Sequence, residues 1–281
     1  MRGLRTHSES SLQKRKKAGL GVGEGADYKP AIPVQHFSSS APQTRAPVAS
    51  LGRTSHVHSG LERNLLLKLL FESNLLLFRD QQPMDRPITL GIAEQLRVDH
   101  PTYPQSNTPV ILTLDAMTRW LESNGEPFTA GWDVKPKSEL DNPRVQEKLS
   151  ISRAYCAVMG MPHFIFTEET ASEDYIKNID WLWASRPRKA EDLPVPDFFI
   201  RHPREMAQEL ARGQHYPTVL EYCQSYEQRH ALPKNNGLRI FKHLVWQHAV
   251  KVDMTLPDVP THRLPTPQSV SLINRFGVSL Q

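Results

Sequence analysis

Pro109-Val-Ile-Leu-Thr-Leu-Asp115-Ala-Met117 is an apolar run broken by a single carboxylate. After an Asn124-Gly125 pair comes a second such run, Phe128-Thr-Ala-Gly-Trp-Asp133-Val-Lys135, closed by Pro136. Asn-Gly between two strand-like stretches predicts a tight hairpin, so the two runs are read as neighbouring strands. Side chains alternate along a strand. Asp133 and Lys135 therefore share one face, Trp132 and Val134 the other, and the hairpin sets Asp115 beside the acid-x-Lys pair. Carboxylates placed among apolar neighbours lose hydration at a cost of several kcal/mol unless something compensates (roughly 2–7 kcal/mol even for a neutral polar group).

Working outward, Ser59-Gly60-Leu61-Glu62 has the spacing of a capping box and is followed by Leu65, Leu66, Leu69 and Leu70 at helical intervals. That helix is expected to end near Asn74, with Leu75–Phe78 as a short buried strand and residues 84–108 as a loop. Downstream, Asn142-Pro143 opens a helix that Gly160 ends, and His163–Thr167 reads as one more buried strand. The order is helix, strand, strand, strand, helix, strand. It describes an α/β unit, a mixed sheet flanked by helices, over residues 59–168. Helical patterns at 176–183, 202–212, 218–230 and 237–250 predict a small, mostly helical domain over residues 169–256. Residues 257–281 read as an extended tail.

The chain's 281 residues suffice for two modest domains with real cores. The longest apolar stretch, Leu65 to Phe71, contains Lys68 and is far too short for a bilayer span. No apolar segment follows the first charges, so a secretory signal is not expected. Two cysteines, Cys156 and Cys223, make neither a disulfide framework nor a metal quartet. A reduced, cytoplasmic protein is the expectation. Charge is uneven: residues 1–60 hold nine Lys/Arg and three acids, the rest 25 and 27. A basic, Pro/Gly/Ser-rich arm over residues 1–58 suits a polyanion. Lys14, Arg15, Lys16, Lys17, Tyr28, Lys29 and Arg53 are its candidate DNA-binding residues, and Gly19, Gly21, Gly23 and Gly25 suggest an exposed strip along a phosphate chain. A solvated tail fits the same composition.

Glu62, one and two turns before Leu66 and Leu69, belongs on the helix face turned to the sheet. Glu62, Asp115 and Asp133 then form an oxygen-only ligand set for a hard ion, Mg²⁺ or Mn²⁺. Lys135 beside them would hold or deprotonate an attacking water, or offset transition-state charge. Each residue also has a plain role open to it: Glu62 in the capping box, Asp115 at a bulge, Asp133 and Lys135 as a surface pair. Their joint placement, acid on helix, acid on strand, acid-x-Lys on the next strand, is the layout of the PD-(D/E)xK nucleases.

The chain resembles the TnsA family, the endonuclease subunits of heteromeric cut-and-paste transposases, from about Ser8 to Trp181. The likeness runs through Tyr28-Lys29-Pro30, Val34 with Ser38-Ser39, Gly52-Arg53, His56 and His58, and Leu61-Glu62. It continues through Phe71-Glu72-Ser73, Arg79-Asp80-Gln81, Thr113 with Asp115, Val134-Lys135-Pro136, Phe164-Ile165-Phe166-Thr167 and Asn178-Ile179-Asp180-Trp181-Leu182. By motif, Glu62, Asp115 and Lys135 match the family's metal and catalytic positions. Asp133 stands where the archetype has glutamine, and an acid there is the broader superfamily residue. The resemblance implies a restriction-endonuclease-like N-terminal domain and a winged-helix-like C-terminal one. It also implies cleavage of double-stranded DNA at the 5′ ends of a transposon. The implied partners are a TnsB-like DDE transposase and a TnsC-like AAA+ ATPase that meets the C-terminal region. Leu272, Ile273 and Phe276 in the tail are candidate residues for that contact; a frayed terminus is the other reading. A free-standing restriction or junction-resolving nuclease, and a non-catalytic DNA-binding adaptor on the same fold, remain alternatives.

Overall fold

The computed structural model describes residues 9–32, 44–48, 52–72, 74–103, 106–122, 124–185, 193–194 and 197–273. Val34, Ser38, Ser39 and Phe276 lie outside the described residues. The chain divides into two compact units, Met1–Thr170 and Ala171–Gln281. Among the described residues no helix is long and apolar enough to cross a membrane.

The first unit begins with α1 (Glu9–Lys17), then an antiparallel pair, β1 (Thr44–Val48) and β2 (Arg53–Val57), then α2 (Gly60–Glu72). Order therefore starts well before Ser59. The arm's composition hid this because its partners lie far off in sequence: Arg86 grips Glu9 of α1 at 2.6 Å, and Asp80 holds β2, as described below. Ser59 caps α2 by accepting from the Glu62 N–H at 3.1 Å. Leu65, Leu66, Leu67, Leu69, Leu70 and Phe71 are all buried. A helix with so little polar surface has neighbours on more than one side, and α2 packs on β2, β3 and β5.

The central sheet has the order β3-β4-β5-β6, from β3 (Asn74–Pro83), β4 (Thr113–Leu121), β5 (Pro127–Val134) and β6 (His163–Phe166). The first three strands are antiparallel, and β6 runs parallel to β5 after a helical crossover. Three expectations need correction. First, β3 continues through the polar run Arg79-Asp80-Gln81-Gln82, because its polar side chains find partners inside the fold. Second, residues 84–108 contain α3 (Arg86–Leu96). Asp85 caps it by accepting from the Ile88 N–H at 3.2 Å, and Pro87 falls in the first turn, where its missing N–H is harmless. Third, β4 starts at Thr113 rather than Pro109, since Val110 donates instead to Pro101 O at 2.9 Å.

The crossover is α4 (Pro143–Val158), capped by Asn142 and followed by Gly160 at φ +67°. α4 packs on α3, β5 and β6, and Met84, Ile92, Leu114, Ile151, Tyr155 and Cys156 form one core cluster. Trp120, Phe128, Trp132 and Phe164 make a chain of ring contacts with centroids 4.8 to 6.3 Å apart.

The second unit is helical: α5 (Glu173–Trp183), α6 (Phe198–Arg212), α7 (Val219–Arg229) and α8 (Asn236–Trp246). α8 is the hub, packing on the other three, with Phe198, Met206, Tyr222, Tyr226, Ile240 and Phe241 fully buried. The tail is not a plain extended segment. Asn178 Nδ2 donates to Met254 O and Leu256 O at 2.9 and 2.8 Å, and Val219 N to His262 O at 2.9 Å. Val250 pairs with Val270.

Gly131 in β5 shows how closely α4 seats on the sheet. A Cβ there would lie 2.5 Å from Cys156 Sγ and 3.0 Å from Leu114 Cδ1. Gly131→Ala is expected to destabilise the first unit by about 1–3 kcal/mol through overpacking, and adding Cys156→Ala to recover part of it. Denaturant unfolding of the three proteins checks this; equal midpoints would mean the contact is loose.

Candidate active site

The candidate residues gather where two paired strands come apart. β4 and β5 keep register from Leu121↔Pro127 to Ala116↔Trp132. Beyond that pair, the Val134 N–H donates to Asp115 Oδ2 at 2.7 Å, so a side chain takes over where the ladder stops. On its other edge β5 stays tied, with Lys135 N donating to Phe166 O at 3.0 Å. The Lys135 ammonium folds back into the notch and donates to Asp115 Oδ2 at 3.1 Å and Val134 O at 2.8 Å.

Glu62 enters from the first turn of α2. Its Oε2 accepts from the His58 N–H at 2.9 Å and its Oε1 from the Ser59 hydroxyl at 3.3 Å. The capping role and a place in the site thus coexist. Between Glu62 and Asp115 stands Gln81, which belongs to the Arg79-Asp80-Gln81 stretch but is not among the site candidates read from sequence. The pairs Asp80↔Ala116 and Gln82↔Leu114 bracket it opposite Asp115. Its Nε2 lies 3.5 Å from Glu62 Oε2 and 3.5 Å from Asp115 Oδ1, and its Oε1 accepts from Thr113 Oγ1 at 3.1 Å. The signal available in sequence was the polar run after Leu75–Phe78, which reads as a strand's end.

Asp133 is placed differently from Lys135. It is 5% exposed, and its Oδ2 meets His163 Nε2 of β6 at 2.9 Å. Burial and the nearby Asp133 charge push the Cys156 thiol up to about 12, which keeps it inert at neutral pH. Glu62, Asp115 and Lys135 form the cluster, and Asp133 backs it from within.

Burial and then the Asp115 charge raise the Glu62 pKa to about 7, against the bonds from His58 and Ser59. Burial likewise raises Asp115, opposed by Lys135. For Lys135, burial pulls downward, but the Asp115 and Asp133 carboxylates outweigh it and hold the ammonium above its ordinary value. The site therefore carries a firm cation and two carboxylates whose ionised forms are under-compensated.

The arm's candidates divide. Lys14, Lys17 and Lys29 are exposed, and Arg15 and Lys16 lie on α1 between the first two. Tyr28 and Arg53 are instead built into the fold. The Tyr28 hydroxyl donates to Asp80 O at 3.0 Å, and its ring sits 5.0 and 5.4 Å from the Arg53 and Arg79 guanidinium carbons. Arg53 donates to Asp80 Oδ1 at 2.5 Å and to Phe78 O, and Asp80 Oδ2 accepts from the His56 N–H at 2.7 Å. With Asp80 1% exposed, its charge needs that partner, which turns the guanidinium inward. The glycine strip is a folded loop rather than an exposed strand: Val22 pairs with Lys29, and a Cβ on Gly21 would lie 2.5 Å from Pro83.

Among the described residues, the ligand-type side chains whose donor atoms all lie within 4.8 Å of one another are His202, Glu205 and His230, not the three acids. Both ring nitrogens of His202 already face protein groups, Nδ1 the Tyr226 hydroxyl at 3.1 Å and Nε2 Arg201 Nη2 at 3.2 Å. The Tyr226 hydroxyl also donates to Glu205 Oε2 at 3.3 Å. Buried His202 is thus satisfied within a hydrogen-bond network whose other members, Glu205 and His230, are partly exposed.

A family model described as the TnsA-like endonuclease N terminal matches residues 73–168, which hold Gln81, Asp115, Asp133 and Lys135. A second, the TnsA endonuclease C terminal, matches residues 172–254. The transposon Tn7 transposition protein TnsA of Escherichia coli is 32% identical over 177 residues, 63% of this chain and 63% of that protein. The match thus spans somewhat less than two thirds of the relative's length. Two successive domain models of one family, together taking in more than half of the chain, and a relative of the same name show where it belongs: the chain is a member of the TnsA family.

Proposed function

We propose that this chain is the endonuclease subunit of a transposase complex, hydrolysing the non-transferred strands at the 5′ ends of a transposon with the help of Mg²⁺ or Mn²⁺. The observation that carries the reading is the Asp115–Lys135 pair in the notch between β4 and β5, with Glu62 closing in from α2, in a chain of the TnsA family. The donor set fits a hard divalent ion: oxygen atoms only, partly buried, and short of compensating charge. Glu62 and Asp115 would hold the ion, with Asp133 adding negative charge from behind. Once bound, such an ion polarises a phosphoryl oxygen and lowers the pKa of a coordinated water.

The chain's own groups do the positioning. Lys135 keeps its proton while paired with Asp115, so it orients the attacking water and offsets charge gathering on the phosphoryl oxygens, rather than removing a proton. Two acceptors, Asp115 Oδ2 and Val134 O, fix the direction of its N–H bonds. The exposed Lys14, Lys17 and Lys29, with Arg15 and Lys16 on the same helix as the first two, contact backbone phosphates of double-stranded DNA without reading sequence. Tyr28 and Arg53 brace β3 behind the site. Target choice then rests with a TnsB-like DDE transposase and a TnsC-like AAA+ ATPase, the latter meeting the C-terminal region through Leu272, Ile273 and Phe276. Ile273 is 57% exposed, as such a contact requires.

Asp115→Ala and Lys135→Ala are each expected to abolish 5′-end cutting of transposon-end DNA in Mg²⁺ while leaving assembly with the transposase intact. Full release of the element by either variant would show that the site is misassigned, and cutting without any partner would favour a free-standing nuclease. Glu62 yields a pH prediction. Its folded pKa of about 7 lies above the ordinary 4.5, so between those values the folded chain holds a proton that the unfolded chain releases. Its contribution to stability therefore falls as pH rises through that window. Wild type minus Glu62→Gln should show this slope in thermal melts without metal, and Mg²⁺ should offset it; parallel curves would remove Glu62 from the electrostatic account. Ile273→Asp is expected to weaken co-purification with the ATPase without changing end cutting by the complex lacking it, and undiminished co-purification would exclude that residue.

A further inference from the structure

Gln81 occupies a position that its own strand does not favour. β3 is extended on both sides, yet Gln81 has φ +51°, the left-handed region that glycine enters freely and other residues avoid. It is 6% exposed, and a strained, buried, non-glycine residue persists only where its surroundings over-determine it. Here the side chain meets Thr113, Glu62 and Asp115. The Thr113 hydroxyl donates to Oε1 at 3.1 Å, which leaves Nε2, the amide's donor end, facing the acids. Nε2 then stands 3.5 Å from an oxygen of each, Glu62 on α2 and Asp115 on β4. These are long contacts, at the outer limit of hydrogen bonding. They space the two carboxylates and turn one oxygen of each toward a common point.

We infer that Gln81 is a positioning residue for this site, its side-chain amide, oriented by Thr113, holding Glu62 and Asp115 in the arrangement in which they act together. The inference rests on the nuclease reading above and adds a residue to it. No other side chain of similar size does the same. Leucine has no donor, glutamate would bring a third negative charge, and asparagine is one methylene too short. The twist at φ +51° carries the amide to a place that regular β geometry would point elsewhere.

Glycine separates the two contributions, because it accepts positive φ without strain but removes the amide. In the full-length chain, Gln81→Gly is expected to stay folded, with a melting temperature close to wild type. Its Mn²⁺ binding by calorimetry should weaken about tenfold or more, the usual cost of losing a group that orients metal ligands, and end cutting should fall with it. Gln81→Leu should behave likewise. Thr113→Val keeps the amide but unlocks its orientation, and is expected to weaken Mn²⁺ binding by a smaller factor. Wild-type Mn²⁺ affinity in all three variants, with cutting undiminished, overturns the role of Gln81 and leaves the nuclease reading standing. A wild-type chain that neither takes up Mn²⁺ nor cuts within the complex sinks the nuclease reading, and this inference with it.

Discussion

The Asp115 carboxylate ends one β ladder and anchors the site at the same time. By taking the Val134 N–H into its own oxygen it lets β4 and β5 part without leaving that donor unpaired. The space so opened is where the Lys135 ammonium turns in. Were Asp115 replaced by an apolar residue, the Val134 N–H would lose this acceptor and Lys135 its carboxylate partner. Backbone satisfaction and the candidate chemistry hang on one side chain, which is why a carboxylate is tolerated between the buried Leu114 and Ala116.

Much of this was legible in the sequence, for reasons specific to each element. The Asn124-Gly125 turn and two apolar runs determine the β4–β5 hairpin locally, so Asp115 and Lys135 could be placed side by side. Ser59 and the leucine spacing placed Glu62 on α2, and Asn142-Pro143 with Gly160 bounded α4. What escaped depended on distant partners. β3 looks finished at Phe78 because nothing nearby shows that Arg53, Tyr28 and Thr113 will satisfy its polar residues. α3 lies in the stretch expected to be a loop; it contains Pro87 and Gly91, and its start rests on Asp85 as the cap. Asp133 and Lys135 are two apart and so expected on one strand face, but nothing near them in sequence shows that Asp133 will meet His163, thirty residues later.

The two units differ in how they are held. The first joins sequence-distant strands through polar side chains, among them Arg53 and Asp80 at 6% and 1% exposure. The second relies on apolar helix packing around α8 and on a tail pinned by Asn178. Its buried His202 and Tyr226 join the partly exposed Glu205 in a polar network at the edge of that packing. Burial first, then the neighbouring Arg201 cation, lowers the His202 pKa and favours the neutral ring.

The Arg53–Asp80 contact bears on where the first unit begins. The matched family domain starts at residue 73, yet Asp80 lies inside it and the guanidinium that neutralises it lies twenty residues before that boundary. A fragment trimmed to the domain limits would strand an anion in the protein interior, a defect of about 3–5 kcal/mol, and would discard Glu62 as well. A piece that keeps this buried pair intact must therefore reach back through β2, which makes that strand part of the first unit's foundation.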